Sequence, residues 1–327
     1  MEYFFSLPKI TELTIEQQAV LYEENPIALS GGAGTGKSVV SLYKHINNID
    51  ALNKTSMIVT YTKTLHHYLL KTARILSSEA WKYIWTSHVI YTHSGNWKID
   101  EIIIDEAQDL TFEHLQDMKR YAKYISYGAD FNQKLYNTNL TKNNVDTLFP
   151  NNERYHLEEN FRNTKEIIDF TKAVIPNFKI NADIEKKGKK PRLFVGNNQI
   201  EKILELIEDF SKEKENIVIL LPFIKNVENY YDDLKDKINC SYYHNNKNEE
   251  NFDMKNIHIT TFKSSKGLEF DAVIIPEFQN YLYNIQHMDT VSENDYYVAF
   301  TRAKKNLFLI SSKKLNIDSN TYETEEF

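Results

Sequence analysis

The sequence predicts an α/β fold in two domains, each a parallel β-sheet covered by helices, and three observations carry that prediction. Short β-branched runs alternate with longer helix-like stretches, the pattern of strands buried on both faces. The chain has 327 residues, and at roughly 150 residues per domain that gives about two, each large enough for its own core. An Asn-rich, turn-prone stretch from Asn137 to Asn152, with Pro150 inside it, interrupts the alternation near the middle. The boundary is placed there, giving domains 1–150 and 151–327, the second with a short acidic tail.

In chain order the strand candidates begin with 27–29 (IAL), an apolar run closed by the glycines that follow it. Residues 57–61 (MIVTY) and 101–105 (EIIID) are β-branched runs with polar residues at or near their ends, and 124–128 (YISYG) stops at Gly128. The second half offers 192–196 (RLFVG), 216–221 (NIVILL), 258–262 (HITTF), 271–276 (DAVIIP) and 307–310 (LFLI). Each half then holds a sheet of four or five strands. Between them lie helix candidates at 37–48, 64–76, 112–122, 164–175, 200–212 and 223–237.

Hydrophobic residues at 41% and charged residues at 26% exclude a mainly disordered, collagen-like or membrane-embedded chain. No run approaches the ~20 apolar residues of a membrane span. The N-terminal MEYFFSLPKI has Glu2 ahead of a short apolar stretch rather than a basic flank, so no signal peptide is expected. Cys240 is the sole cysteine and cannot form an internal disulfide, which suits a reducing cytoplasm. Net charge is −7, and the last ten residues hold four acids and no base. Bulk charge therefore does not advertise a nucleic-acid binder, while a local basic groove stays open.

Nine glycines are few for this length, and four of them, Gly31, Gly32, Gly34 and Gly36, fall within six consecutive residues. Residues 31–38 read GGAGTGKS and fit G-x-x-x-x-G-K-[ST] without a mismatch. Small residues at Gly31, Gly32, Ala33, Gly34, Thr35 and Gly36 let backbone N–H groups wrap phosphates closely. Lys37 brings a point charge to the β- and γ-phosphates and Ser38 a hydroxyl to Mg²⁺. A helix starting at Lys37 adds its positive end. The strand 27–29 before the loop and the helix after it supply the required context.

Residues 101–109 read EIIIDEAQD, a buried-looking strand ending in two carboxylates. Asp105 is placed to hold Mg²⁺, directly or through water, and Glu106 to accept a proton from an attacking water. The bland alternative is a strand leading into an acidic helix start.

With DEAQD the chain begins to resemble the superfamily 1 helicases, the UvrD/Rep-like branch in particular, and the resemblance recurs in family order along nearly its whole length. LTIEQQAV (13–20) looks like the adenine-reading glutamine segment, with Gln17 at the matching position. MIVTYTKTL (57–65) and WTSH (85–88) look like segments that meet single-stranded nucleic acid. DFNQKLY (130–136) places Gln133 as γ-phosphate sensor, and HLEENFRNTKEI (156–167) places Arg162 at the γ-phosphate. TFKSSKGLEFDAV (261–273) and YYVAFTRAKKNL (296–307) are the most specific matches, bringing Gly267, Glu269 and Arg302. Two departures stand out: Ala129 replaces the usual Gly before the sensor segment, and Lys263 replaces a family His. Only sixteen residues separate His88 from Asp105, where larger members insert an accessory subdomain. The implied molecule is a minimal motor of two tandem RecA-like domains without accessory subdomains.

The resemblance implies a nucleic-acid-dependent ATPase, a helicase or single-strand translocase using ATP and Mg²⁺. Lys37, Glu106, Gln133, Arg162 and Arg302 would be its catalytic set. An ATP held on the first half's loop needs an arginine from the other half to neutralise the γ-phosphate. Such a finger is worth ~10³–10⁵ in rate. Tyr61, Lys63, His88 and Lys263 are candidates to meet single-stranded nucleic acid, DNA in preference to RNA. Tyr61 also reads as a core residue, and Trp85 reads as core rather than platform. The run KKGKKPR (186–192) reads as a solvated basic turn. A second functional reading is an ATP-gated subunit of a nuclease or defence-type complex, with no unwinding of its own. No membrane partner is expected.

Overall fold

Strands form where the apolar runs were read, and each sheet is completed by two more at its edges. The computed structural model describes all residues except 1, 4–6, 93–97, 137, 177–183, 211–214 and 245–252. Chain contacts divide it into a first unit, Phe5–Asn160, and a second unit from Phe161 onward that also takes in Glu2 and Tyr3.

The first unit holds β1 (Ile27–Gly31), β2 (Ser56–Thr60), β3 (Ile84–Thr86), β4 (Ile99–Ile104), β5 (Ala122–Ala129) and β6 (Glu153–Leu157), in the order β3-β2-β4-β5-β1-β6. All neighbours pair parallel, with Leu29 opposite Gly128 and Ile104 opposite Tyr127. Ile58, Val59, Ile102, Ile103 and Ile104 are fully buried, as expected of strands covered on both faces. Parallel pairing carries the segments after β1, β5 and β4 to one end of the sheet, side by side. That end, at the carboxyl termini of the strands, is where open α/β sheets bind ligands.

The second unit holds β7 (Arg192–Val195), β8 (Ile217–Leu221), β9 (Ser241–Tyr243), β10 (Ile257–Thr261), β11 (Phe270–Ile275), β12 (Ala303–Ser311) and β13 (Glu323–Glu326), ordered β13-β7-β12-β11-β8-β10-β9. It too is all parallel. Ile217, Ile219, Leu221, Ile259, Ala272 and Ile274 build its core with the apolar faces of the helices Gln199–Phe210 and Ile224–Leu234.

Three expectations are corrected. The sheets have six and seven strands rather than four or five. The stretch 137–152 is not a linker between domains. It contains a helix, Lys142–Leu148, and leads into β6, which pairs with β1, so the division falls at Asn160. The acidic tail is an ordered edge strand: β13 pairs with β7, and Glu325 takes an ion pair from Arg192.

Candidate active site

The phosphate loop is shaped by positions that tolerate no side chain. Gly31, Gly34 and Gly36 have φ of +155°, +72° and +88°, conformations that L side chains rarely adopt. A Cβ on Gly31 would lie 2.7 Å from the Leu157 carbonyl oxygen of β6 and 2.7 Å from Thr35 Oγ1. Gly36 caps the helix Lys37–Asp50, so the loop ends on a helix N-terminus with its unpaired N–H groups and positive end. Lys37 is buried, and its Nζ donates to the carbonyls of Gly31 and Gly32, both at 2.9 Å.

Gln17 sits against this loop. Its Nε2 donates to the Thr35 carbonyl at 3.1 Å. Its Oε1 accepts from Thr14 N while Thr14 Oγ1 accepts from Gln17 N, a capping box that starts the helix Ile15–Tyr22. The glutamine is thus fixed at both ends of its amide.

Asp105 follows β4 and is 1% exposed, and its carboxylate oxygens make no hydrogen bond of ordinary geometry, the Ser38 hydroxyl and the Glu106 backbone lying close by. Buried polar atoms are ordinarily satisfied, so this pair of oxygens marks a site built for something else. Burial, and after it the charge of Glu106, push Asp105 above the ordinary carboxylate range, while nearby Ser38 and Lys37 pull the other way. A Cβ on Gly128, the neighbour on β5, would touch Asp105 Oδ1 at 3.6 Å and Lys37 Cβ at 3.9 Å. These are ordinary contact distances, and they place the carboxylate and the lysine stem on the same side of β5. An exposed-edge orphan would be filled by solvent. A buried anion next to a glycine-lined cradle suits a divalent cation.

Glu106 carries φ +62°, a left-handed conformation costing a non-glycine residue about 1–2 kcal/mol. Gln108 Nε2 donates to Glu106 Oε2, and Gln108 Oε1 accepts from Asp130 N at 3.1 Å. Asp130 Oδ2 in turn accepts from Gln133 Nε2 at 2.8 Å. The expected base and the expected sensor are therefore joined through Asp130, at the head of the sensor segment, and through Gln108, to which the sequence reading gave no role. Gln108 stood in the DEAQD motif, and its burial between two motifs is a tertiary fact that spacing does not carry.

The second unit gathers its own set. Arg162 Nε donates to Glu269 Oε2 at 3.1 Å, and Lys304 Nζ lies 3.5 Å from Glu269 Oε1. Burial alone would raise Glu269, but Arg162 and then Lys304 hold its carboxyl below the usual value. Gly267, at φ +81°, turns the chain just ahead of Leu268. Arg302 is 1% exposed and donates through Nη1 to the Leu268 carbonyl and through Nε to the Val298 carbonyl, each at 3.0 Å. Asn163, unassigned from sequence, donates to the carbonyls of Thr301 and Ala303 on either side of Arg302.

Of the residues expected at nucleic acid, Tyr61 is half-buried with its ring 4.6 Å from Tyr136 and 6.2 Å from His88. His88 and Lys63 are exposed at the start of the helices Ser87–Thr92 and Lys63–Leu76. Trp85 packs on the core of the first unit, as read. Lys263 is turned to its own unit: Nζ donates to the Thr290 carbonyl at 2.9 Å and lies 3.9 Å from Asp295. In the basic run, Lys186 clamps the carbonyls of Arg162 and Lys304 while Lys187, Lys189 and Lys190 are exposed.

Comparison with known proteins adds to this geometry. Residues 197–314 match the family described as the UvrD-like helicase C-terminal domain. A protein of Acanthamoeba polyphaga mimivirus, named as an ATP-dependent DNA helicase, is 28% identical over 238 residues, 64% of this chain. The chain spans 34% of that protein's length. Among solved structures, S. cerevisiae Dbp5 bound to RNA and ADP BeF3 aligns over 95% of this chain and 89% of its own, with TM-score 0.60 and 12% identity. At that identity the likeness establishes the fold alone, two tandem RecA-like α/β domains. The match over residues 197–314, together with the motifs in family order, makes the chain similar to the UvrD-like helicases.

Proposed function

We propose that this chain is a nucleic-acid-dependent ATPase that works as a helicase or translocase on single strands, DNA before RNA, in the cytoplasm. The observation that carries the reading is Asp105: a buried carboxylate with no hydrogen bond of ordinary geometry, beside Lys37 and Ser38 of the glycine-rich phosphate loop. Gln17 is held where it can read an adenine edge. Lys37 would exchange its two loop carbonyls for phosphate oxygens at little reorganisation, since its stem is already buried along the loop. Asp105 and Ser38 would hold Mg²⁺, which supplies charge neutralisation at the phosphates. Glu106 accepts a proton from the attacking water, Gln133 positions that water at the γ-phosphate, and Arg162 and Arg302 neutralise its charge. Gly267 and Glu269 shape the turn that carries those arginines' partners.

Tyr61, Lys63 and His88 share one end of the first sheet and offer aromatic rings near the Lys63 ammonium, the combination that holds single strands without reading sequence. Among the described residues no helix is long and apolar enough to cross a membrane. The alternative of a switch subunit is not favoured by a helicase relative. The reading is tested by ATP turnover in parallel with single-stranded DNA, single-stranded RNA, duplex DNA and no nucleic acid. Turnover rising at least tenfold with a single strand is expected. Turnover indifferent to all three polymers overturns the reading.

A further inference from the structure

We infer that Gln108 is a positioning residue that sets the Glu106 carboxylate and locks it to the sensor segment, an inference resting on the reading of Glu106 as the base. Glu106 stands on a left-handed backbone at φ +62°, where a side chain has no regular element to orient it. Its carboxylate is instead held by Gln108 Nε2. The other end of that amide accepts from Asp130 N at 3.1 Å, and Asp130 holds Gln133 at 2.8 Å. Gln108 is fully buried, so neither half of the amide exchanges freely with water.

A second link runs parallel to the first. The adjoining Asp109 accepts from Leu135 N at 3.4 Å, one residue before Tyr136, whose ring lies on Tyr61. The short turn Ala107–Asp109 therefore grips the segment 130–136 at both ends, with Gln133 between. Glutamine suits the first position because one planar amide gives a donor to a carboxylate and an acceptor to an N–H. A carboxylate at 108 repels Glu106, and an apolar residue removes one hydrogen bond from each partner in a buried place.

The test is a cycle of Gln108→Leu, Glu106→Gln and the double variant, reading kcat and KM for ATP, nucleotide affinity and melting temperature in the full chain. Partners that orient a catalytic group rather than touch substrate are worth about 10–100-fold. Gln108→Leu is expected to lose about that in kcat, with KM and affinity unchanged and the melting temperature lowered by no more than a few degrees. In the Glu106→Gln background it is expected to cost no more than about twofold further in the residual turnover. A Gln108→Leu protein with kcat near wild type overturns the inference. So does an equal loss in both backgrounds, or a loss that tracks a fall in melting temperature. Should Gln108→Leu fail to fold, Gln108→Glu has the same length and keeps the acceptor for Asp130 N. It is expected to show the same loss and the same dependence on Glu106, and full activity from it overturns the inference. An inert wild-type chain fails the ATPase reading itself, whereas an active one with a dispensable Gln108 fails only this step.

Discussion

At the scale of single residues, the phosphate loop has little slack. Gly31 is pinned by the Leu157 carbonyl, which belongs to β6 and cannot retreat without breaking the β1–β6 pairing. Gly31→Ala therefore has to move the loop, and a loss of at least tenfold in ATP affinity with a lowered melting temperature is expected, read by nucleotide titration and calorimetry. Lys37 differs, because its polar contacts are two carbonyls of the loop itself rather than a neighbouring strand. Lys37→Ala is expected to lose on the order of 10²-fold in turnover with the melting point kept within a few degrees. A variant that unfolds would assign the lysine to stability instead. What was legible at this scale was residue type. GGAGTGKS and DEAQD announce phosphate and cation chemistry because few other uses need those residues in that order. The partners of Glu106 were not legible, since Gln108 and Asp130 meet only when β4 and β5 lie side by side.

At the scale of elements, every interior strand was readable and every edge strand was missed. β3, β6, β9 and β13 end the two sheets, two each. Edge strands pair on one side and meet solvent on the other, so they are short and polar: β6 reads ERYHL and β13 reads ETEE. Nothing forces them into β-branched runs, and apolar patterning is what a single sequence displays. The missed β6 is also why the domain boundary was set too early. Helix starts carry a prediction of their own. Thr14 both caps the helix Ile15–Tyr22 and aligns Gln17, so Thr14→Ala should cost about 1 kcal/mol of stability. It should also weaken binding of ATP more than binding of inorganic triphosphate, because the lost contact fixes the backbone of Gln17, the residue proposed to read the base. Equal weakening of both ligands would detach Gln17 from adenine. In the second unit, Asn163 satisfies two buried carbonyls flanking Arg302. Asn163→Ala leaves both unpaired, and about 2 kcal/mol of destabilisation is expected in chemical denaturation.

At the scale of the molecule, the proposed binding of a polyanion by a chain of net charge −7 requires a few well-placed cations. Contacts to phosphate show themselves in the salt dependence, where each neutralised phosphate of a single strand adds about −0.7 to the slope of log affinity against log salt. The structure separates two lysines that the sequence treated alike. Lys63 stands exposed beside the Tyr61 rings, at a helix start where the positive helix end adds to its charge. Lys263 has its ammonium on the Thr290 carbonyl with Asp295 nearby, which neutralises it locally. Lys63→Ala is therefore expected to flatten the slope by about 0.7, whatever the base sequence of the strand. Lys263→Ala is expected to leave the slope unchanged and to lower stability instead, by removing the ammonium that serves the Thr290 carbonyl and offsets the buried Asp295 charge. Fluorescence anisotropy of a labelled single strand across a salt series reads both variants in one experiment. An altered slope for Lys263→Ala together with an unaltered one for Lys63→Ala would move the strand's path off the Tyr61 end of the first sheet and onto the second unit.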